Sequence, residues 1–376
     1  MSKKPDTRAS RRTRQRIVFG LILLLFLVYP LIDQALGLNK MGRVVPMLIF
    51  VLMALGLNIV VGFAGLLDLG YVAFLAIGAY TTAFLTSPAS PLPFRTDFWI
   101  ALIASFLVAG IFGVLLGAPT LRLRGDYLAI VTLAFGEIVP RVFLNLDQVT
   151  RGSRGMSPIE RPEIPFTGIR LGVEQVPWYY LILLVGLISV VAIGRLNNSR
   201  LGRAWKAMRE DELAAASMGI DLVQTKLLAF GIGASFSGFA GAIFASNFQF
   251  IDPFQFEFSN SILVLSMVIL GGLGNMWGVI AGGLLVGGFD RIIAEDMNNF
   301  VKQVGATTGI DLLRNADISN LKMGIFGLCL VLVMLLRPEG IFPSRARRAE
   351  LHAGDQSQSP LAEHEQQYLY DTTNVG

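Results

Sequence analysis

Two carboxylates interrupt otherwise apolar stretches of this chain: Asp68 in "GFAGLLDLGYVAF" and Glu137 in "LAFGEIVPRVF". A charge in such a setting is costly and normally faces protein or water. Asp68 can line a polar path, contact an ammonium group, cap a half-helix starting at Leu69, or pair with a neighbouring helix. Glu137 stands four residues before Arg141, the helical spacing that permits an ion pair. Asn58, Asn247 and Asn275 can donate and accept toward a zwitterion, or tie helices together. Both histidines, His352 and His364, lie in the polar C-terminal stretch, and the single cysteine, Cys329, sits in "IFGLCLVLVMLL". The apolar part therefore offers no imidazole for base chemistry or metal ligation, and no thiol pair for a disulfide or metal cage. No G-x-x-x-x-G-K-[ST] phosphate loop occurs. No catalytic group and no metal ligand set is expected.

The elements that must position these residues are membrane spans. The 376 residues are 53% hydrophobic and 15% charged, against roughly 25% charged in soluble domains. The fold class expected is an all-α polytopic membrane protein. After a basic stretch at 1–16, "IVFGLILLLFLVYPLI" reads as a retained first helix; a cleaved signal peptide begins similarly, but no clear small-x-small site follows. Further runs near the ~20 residues needed to cross a bilayer fall at 43–61, 64–85, 98–118, 126–146, 177–194, 226–246, 258–273, 276–294 and 320–336, which makes about ten. Glycine interrupts the pattern at "VGFAGLLDLG" and "GGLGNMWG". With ten spans the N-terminal tail, "LRLRGD", the loop holding Arg195 to Arg209 and the stretch with Arg345, Arg347 and Arg348 share one side, which the positive-inside rule makes cytoplasmic. Arg151–Arg170 is the basic exception and reads as an ordered external loop. Residues 17–337 form the expected membrane domain, and 338–376 a flexible cytoplasmic tail.

Small residues recur four apart. Gly231 with Ser235, Ala234 with Gly238, and Ser237 with Gly241 lie on one run; Gly278 with Gly282, and Gly283 with Gly287, lie on another. Such rows let helix backbones approach in lipid, within the chain or against a second membrane subunit. The glycine-broken segments near Gly62–Gly70 and Gly271–Gly278 also suggest an inverted repeat, since the four-span blocks around them start on opposite sides.

One stretch is polar where its surroundings are not: "GRAWKAMREDELAAASMGI", Gly202 to Ile220. Leu201, Trp205, Met208, Glu212 and Ala215 form a stripe, with Arg203, Lys206, Glu210 and Asp211 mostly elsewhere. The spacing predicts a short amphipathic helix. Gly219 falls where it would stop and turn, and Asp221 can cap the next helix. The helix either lies on the anionic inner leaflet or is presented to a groove on a soluble partner.

"RAWKAMREDELAAASMGI" resembles the cytoplasmic loop of ABC-importer permeases, whose signature is Glu-Ala-Ala, three residues, then Gly. Ala214, Ala215 and Gly219 match it; the glutamate position holds Leu213, with Glu212 one residue early, and the downstream Ile-x-Leu-Pro is absent. Those departures are usual in branched-chain amino acid permeases of the LivM type. "LGLNIVVGFAGLLDLGYVAFLAIGAY", "LRLRGDYLAIVTLAFGEI", "VILGGLGNMWGVIAGG" and "RPEGIFP" are similar to that type over roughly residues 43–343. Permeases for urea and short amides look alike, so a urea or amide importer is the alternative, and a stand-alone secondary transporter using Asp68 or Glu137 a more distant one. The resemblance implies an ABC-importer permease in the bacterial inner membrane, paired with a LivH-like sister permease, two cytoplasmic ATPases that bind the ATP, and an external binding protein. It implies an amino-acid substrate, no cofactor of the chain's own and no nucleic acid. Trp205, Met208, Arg209, Glu212, Ala214, Ala215 and Gly219 would then couple to the ATPase, while Asn58, Asp68 and Asn275 are the candidates for the substrate path. Arg122, Arg124 and Asp126 either touch the ATPase or anchor the chain. Asp252 and Pro253 either receive the binding protein or lie in an interface.

Overall fold

The computed structural model describes residues 26–308 apart from 121, 122, 124, 125 and 164–169, together with isolated positions between 324 and 341. The tails at 1–16 and 338–376 and the run at 320–336 fall largely outside the described residues, as do Arg122 and Arg124. The described chain is helical. Helix α1 occupies 26–35, α2 Met41–Leu57, α3 Val72–Thr86, α4 Phe98–Thr120, α5 Asp126–Asn145 and α6 Asp147–Thr150. Helix α7 occupies Gln175–Asn197, α8 Arg200–Glu210, α9 Glu212–Ser217, α10 Leu222–Phe248, α11 Phe258–Gly271, α12 Met276–Gly288 and α13 Ala294–Thr308.

Among the described residues seven helices are long and apolar enough to cross a membrane. Two expected spans differ. The run at 64–85 becomes irregular backbone at 64–71 followed by α3, whose 15 residues rise only about 22 Å of a ~30 Å hydrocarbon core. Glycine causes this: Gly65 takes φ +71, and a β-carbon at Gly70 would land on the Thr132 carbonyl of α5. Upstream, α2 loosens into a π-helix at Asn58–Phe63. The run at 276–294 continues through a second π-helix, Phe289–Ile293, into the polar α13. There Lys40 pairs with Asp296 (3.1 Å), and Arg43 pairs with Glu295 (3.1 Å) and Asp296.

Helix α10 is the central post, and its small residues are what let it be one. Gly233 meets the Gly56 carbonyl of α2 and Val60 of the π-helix, Gly241 meets Leu75–Ala79 of α3, and Gly238 and Gly231 meet Ser105, Ala109 and Val114 of α4. The Ser235 hydroxyl donates to the Gly231 carbonyl (2.9 Å) and sits against Gly110. Gly271 and Gly278 bring α11 and α12 together, with Gly282 against Met267, while Gly283 and Gly287 seat α12 on Val51 and Met47 of α2. The predicted packing rows thus close contacts inside the chain. The two glycine breaks are also neighbours, since the Gly274 amide donates to Asn58 Oδ1 (3.0 Å). That contact does not by itself make the halves an inverted repeat.

Alternation of the spans gives the bundle two ends. One carries α8, α9 and both breaks. The other carries the loops at 146–163 and 249–257, which are joined through paired amides of Met156 and Ile251 (2.9 and 3.2 Å).

Candidate functional site

The polar stretch is two helices, not one. Ser199 caps α8 by accepting the Gly202 amide (3.3 Å). At Asp211 the backbone turns extended (φ −155, ψ 113), and its carboxylate accepts the Leu213 and Ala214 amides (2.7 and 3.0 Å) to start α9. The continuous stripe predicts one helix; the Asp211 side chain, by taking two amides, divides it. Helix α9 ends as predicted. Gly219 takes φ +83, its amide donates to the Ala216 carbonyl and that of Ile220 to Ala215, a full glycine-terminated closure. Asp221 then caps α10 on the Gln224 amide (3.0 Å).

The apolar stripe faces the protein's own spans. Trp205 is fully buried, and Met208 and Ala215 nearly so. Trp205 Nε1 donates to the Thr225 carbonyl (2.8 Å), and Glu212 pairs with the buried Lys226 (2.7 Å), fastening both short helices to the start of α10. Lys206 donates to the Asn197 carbonyl (3.3 Å), and burial lowers its ammonium below the ordinary lysine value. Arg209 reaches furthest. Its guanidinium donates to the Gly62 carbonyl in the π-helix, and its Cγ lies 2.7 Å from where a β-carbon at Gly65 would stand. Only glycine leaves that channel open. On the opposite side Leu213 is 78% and Met218 84% exposed, beside exposed Ala214 and Gly219.

Above Arg209 lies the start of α3, whose early amides find side-chain acceptors. Leu69 donates to Thr132 Oγ1 (3.0 Å), Gly70 to Asp68 Oδ1 (2.9 Å) and Val72 to Ser261 Oγ (3.0 Å). Asp68 is buried, and its Oδ2 has no partner among the described residues. Asn58 lies buried with Nδ2 likewise unmatched. Asn275 accepts the Trp277 amide (3.1 Å) and so caps α12. The structure places Asn58 and Asn275 at the same pair of breaks, and Asp68 on the α3 side of them. Asn247 lies elsewhere, donating to Gln175 Oε1 (3.3 Å). The contacts of Thr132 and Ser261 were not foreseen, because an isolated hydroxyl in a span has no pattern of its own.

At the loop end a cleft of about 430 Å³ opens between α5 and residues 253–259. Glu137, Arg141, Pro253, Phe254, Glu257 and Phe258 are among its walls. Glu137 and Arg141 pair at 3.4 Å, as the spacing predicted. Asp252 caps the short turn Pro253–Gln255 (3.2 Å to the Gln255 amide).

Residues 43–334 match the family described as branched-chain amino acid transport system / permease component. The chain belongs to that family. It is 38% identical to the high-affinity branched-chain amino acid transport system permease protein LivM of Salmonella typhimurium and to that of Escherichia coli K12, in each case over 82% of this chain and 71% of the relative. It is also 23% identical to the permease protein LivH of Salmonella typhimurium, over 68% of this chain and 85% of that protein. No solved structure matches the chain. Family membership and the seven apolar helices make it a multi-pass membrane transport permease, and the bounds 43–334 fall close to those of the resembling blocks.

Proposed function

We propose that this permease is one membrane subunit of an ATP-driven importer that moves branched-chain amino acids across a bacterial inner membrane. A LivH-like sister permease completes the pore, two cytoplasmic ATPases hydrolyse the ATP, and an external binding protein delivers the substrate. Both termini lie on the ATPase side. The observation that carries the reading is the two-sided platform: α8 and α9 are bolted to α10 and to the α2 break, yet they leave Leu213 and Met218 projecting outward. Large apolar side chains exposed on a short polar helix fit a groove on a soluble partner. Closure of that partner would pull on α9, then through Glu212–Lys226 on α10, and through Arg209 on the Gly62 backbone, six residues before Asp68.

The decisive experiment is co-expression with the two ATPases, the sister permease and the binding protein, followed by reconstitution. ATP-dependent uptake of labelled leucine, and retention of the ATPases on the purified complex, are expected. Uptake of urea in place of leucine would transfer the assignment to the amide importers. Leucine uptake by the permease alone, without ATP, would make it a secondary transporter.

A further inference from the structure

Helix α5 has one open face. Tyr127, Ile130, Ala134, Ile138, Arg141 and Asn145 are all exposed at helical spacing. Toward the loop end this face turns charged. Glu137 lies eight residues before the end of the helix, about 12 Å inside it, and its side chain is 42% exposed. An exposed ion pair at that depth is expensive against lipid tails, so this face looks onto water or protein. The cleft of about 430 Å³ opens at the charged part, within the ~300–1,000 Å³ usual for small-molecule sites. Its walls combine both signs of charge with phenylalanine and proline. The Glu137–Arg141 contact is a single one at 3.4 Å, and the Arg141 side chain is 75% exposed, so donors remain for a second carboxylate. Glu257 is exposed on the facing loop, where Ser259 Oγ stands 3.4 Å from its carboxylate.

We propose that this cleft receives a free apolar amino acid as a zwitterion, with Arg141 taking its carboxylate, Glu257 and Glu137 its ammonium, and Phe254, Phe258 and Pro253 its side chain. The argument is complementarity. Glu137 and Arg141 already pair, so Glu257 is the wall charge left to be met: an ammonium answers it, a carboxylate takes the remaining Arg141 donors, and an uncharged amide uses neither. An apolar side chain matches the aromatic wall, and a polar one does not. The site is weak by design of its exposure, which suits a place that must pass its occupant inward. It rests on the amino-acid reading above and sharpens it to a location on the external half of the permease.

The test uses the assembled transporter in proteoliposomes. In a Cys329→Ala background, Ser259→Cys places a thiol on the cleft wall, and its labelling by a maleimide is followed without ATP or binding protein. Millimolar L-leucine should slow labelling. 4-Methylpentanoate, which lacks the ammonium, and 3-methylbutylamine, which lacks the carboxylate, should not. In uptake with the binding protein present, Arg141→Gln should import leucine about tenfold more slowly, the loss of one charged contact. The proposal is overturned if leucine gives no protection, if either single-charge analogue protects equally, or if Arg141→Gln imports at the unsubstituted rate. Should Arg141→Gln fail to assemble, the labelling result decides. Failure of the unsubstituted transporter to import leucine at all would instead remove the amino-acid reading, independently of where the ligand binds.

Discussion

Asp68 keeps one oxygen on the Gly70 amide and leaves the other unmatched among the described residues. The two atoms can be separated by substitution. Asp68→Asn retains an oxygen for Gly70, so the complex should assemble at normal yield; uptake should fall several-fold, because an amide nitrogen that only donates replaces the second oxygen. Unchanged uptake would assign Asp68 to capping alone. Asp68→Ala removes the cap as well and should cost about 1 kcal/mol of stability. Glycine neighbours give a sharper contrast. Gly70→Ala forces a methyl into the Thr132 carbonyl and should lower the melting temperature of the detergent-solubilised protein, with overpacking costs of ~1–3 kcal/mol or more. Gly186→Ala on α7 meets nothing within 4 Å and should leave the melt unchanged or raised, since alanine is the better helix former. The sequence made Asp68 conspicuous because a carboxylate in an apolar run is chemically out of place. It could not show that Gly70 faces Thr132, since that depends on how two helices 60 residues apart come to cross.

The stop at Gly219 and the cap at Asp221 were readable because capping is local: one rests on its own φ, the other on an amide three residues away. Ser199 and Asp211 act just as locally, but the break at Asp211 lies inside a continuous stripe and splits what reads as one helix. What each face touches was not readable, since the amphipathic stripe says only that one side is buried. Trp205 and Met208 stand among the residues the resemblance assigns to the ATPase contact, and they are buried in the permease itself. Three variants distinguish the sides. Gly219→Val enters open space but must hold φ +83, a strain of ~1–2 kcal/mol for a residue with a side chain. The spans should insert normally, while uptake per ATP hydrolysed falls. Leu213→Asp with Met218→Asp should release the ATPases from the purified complex at unchanged permease yield. Retention of both ATPases and coupling in these variants would favour a platform resting on lipid. Arg209→Ala should keep the ATPases bound and still lower uptake per ATP, because it severs the link to the Gly62 carbonyl and not the partner face.

For the whole molecule, hydropathy located the spans well where side chains alone decide, as in α2, α4, α7 and α10, and poorly where backbone does, at 64–71 and beyond Gly288. Orientation rests on Lys and Arg counts and can be checked directly. In a Cys329→Ala background, Ser153→Cys should react with an impermeant maleimide from the outside of intact cells, and Met218→Cys only after lysis; both residues are exposed. Reaction of both from one side would invert or break the topology. The irregular start of α3 has a further consequence, for biogenesis. Unpaired amides cannot rest in hydrocarbon, and those of Leu69 and Val72 are taken up by Thr132 and Ser261, 63 and 189 residues later in the chain. Helix α3 is also too short to span alone. Translation therefore delivers it to the insertion machinery long before its acceptors exist, and its final depth is set only after α11 has emerged. Chains truncated ahead of Ser261 should be cleared by membrane proteases, whereas chains halted after α12 should persist.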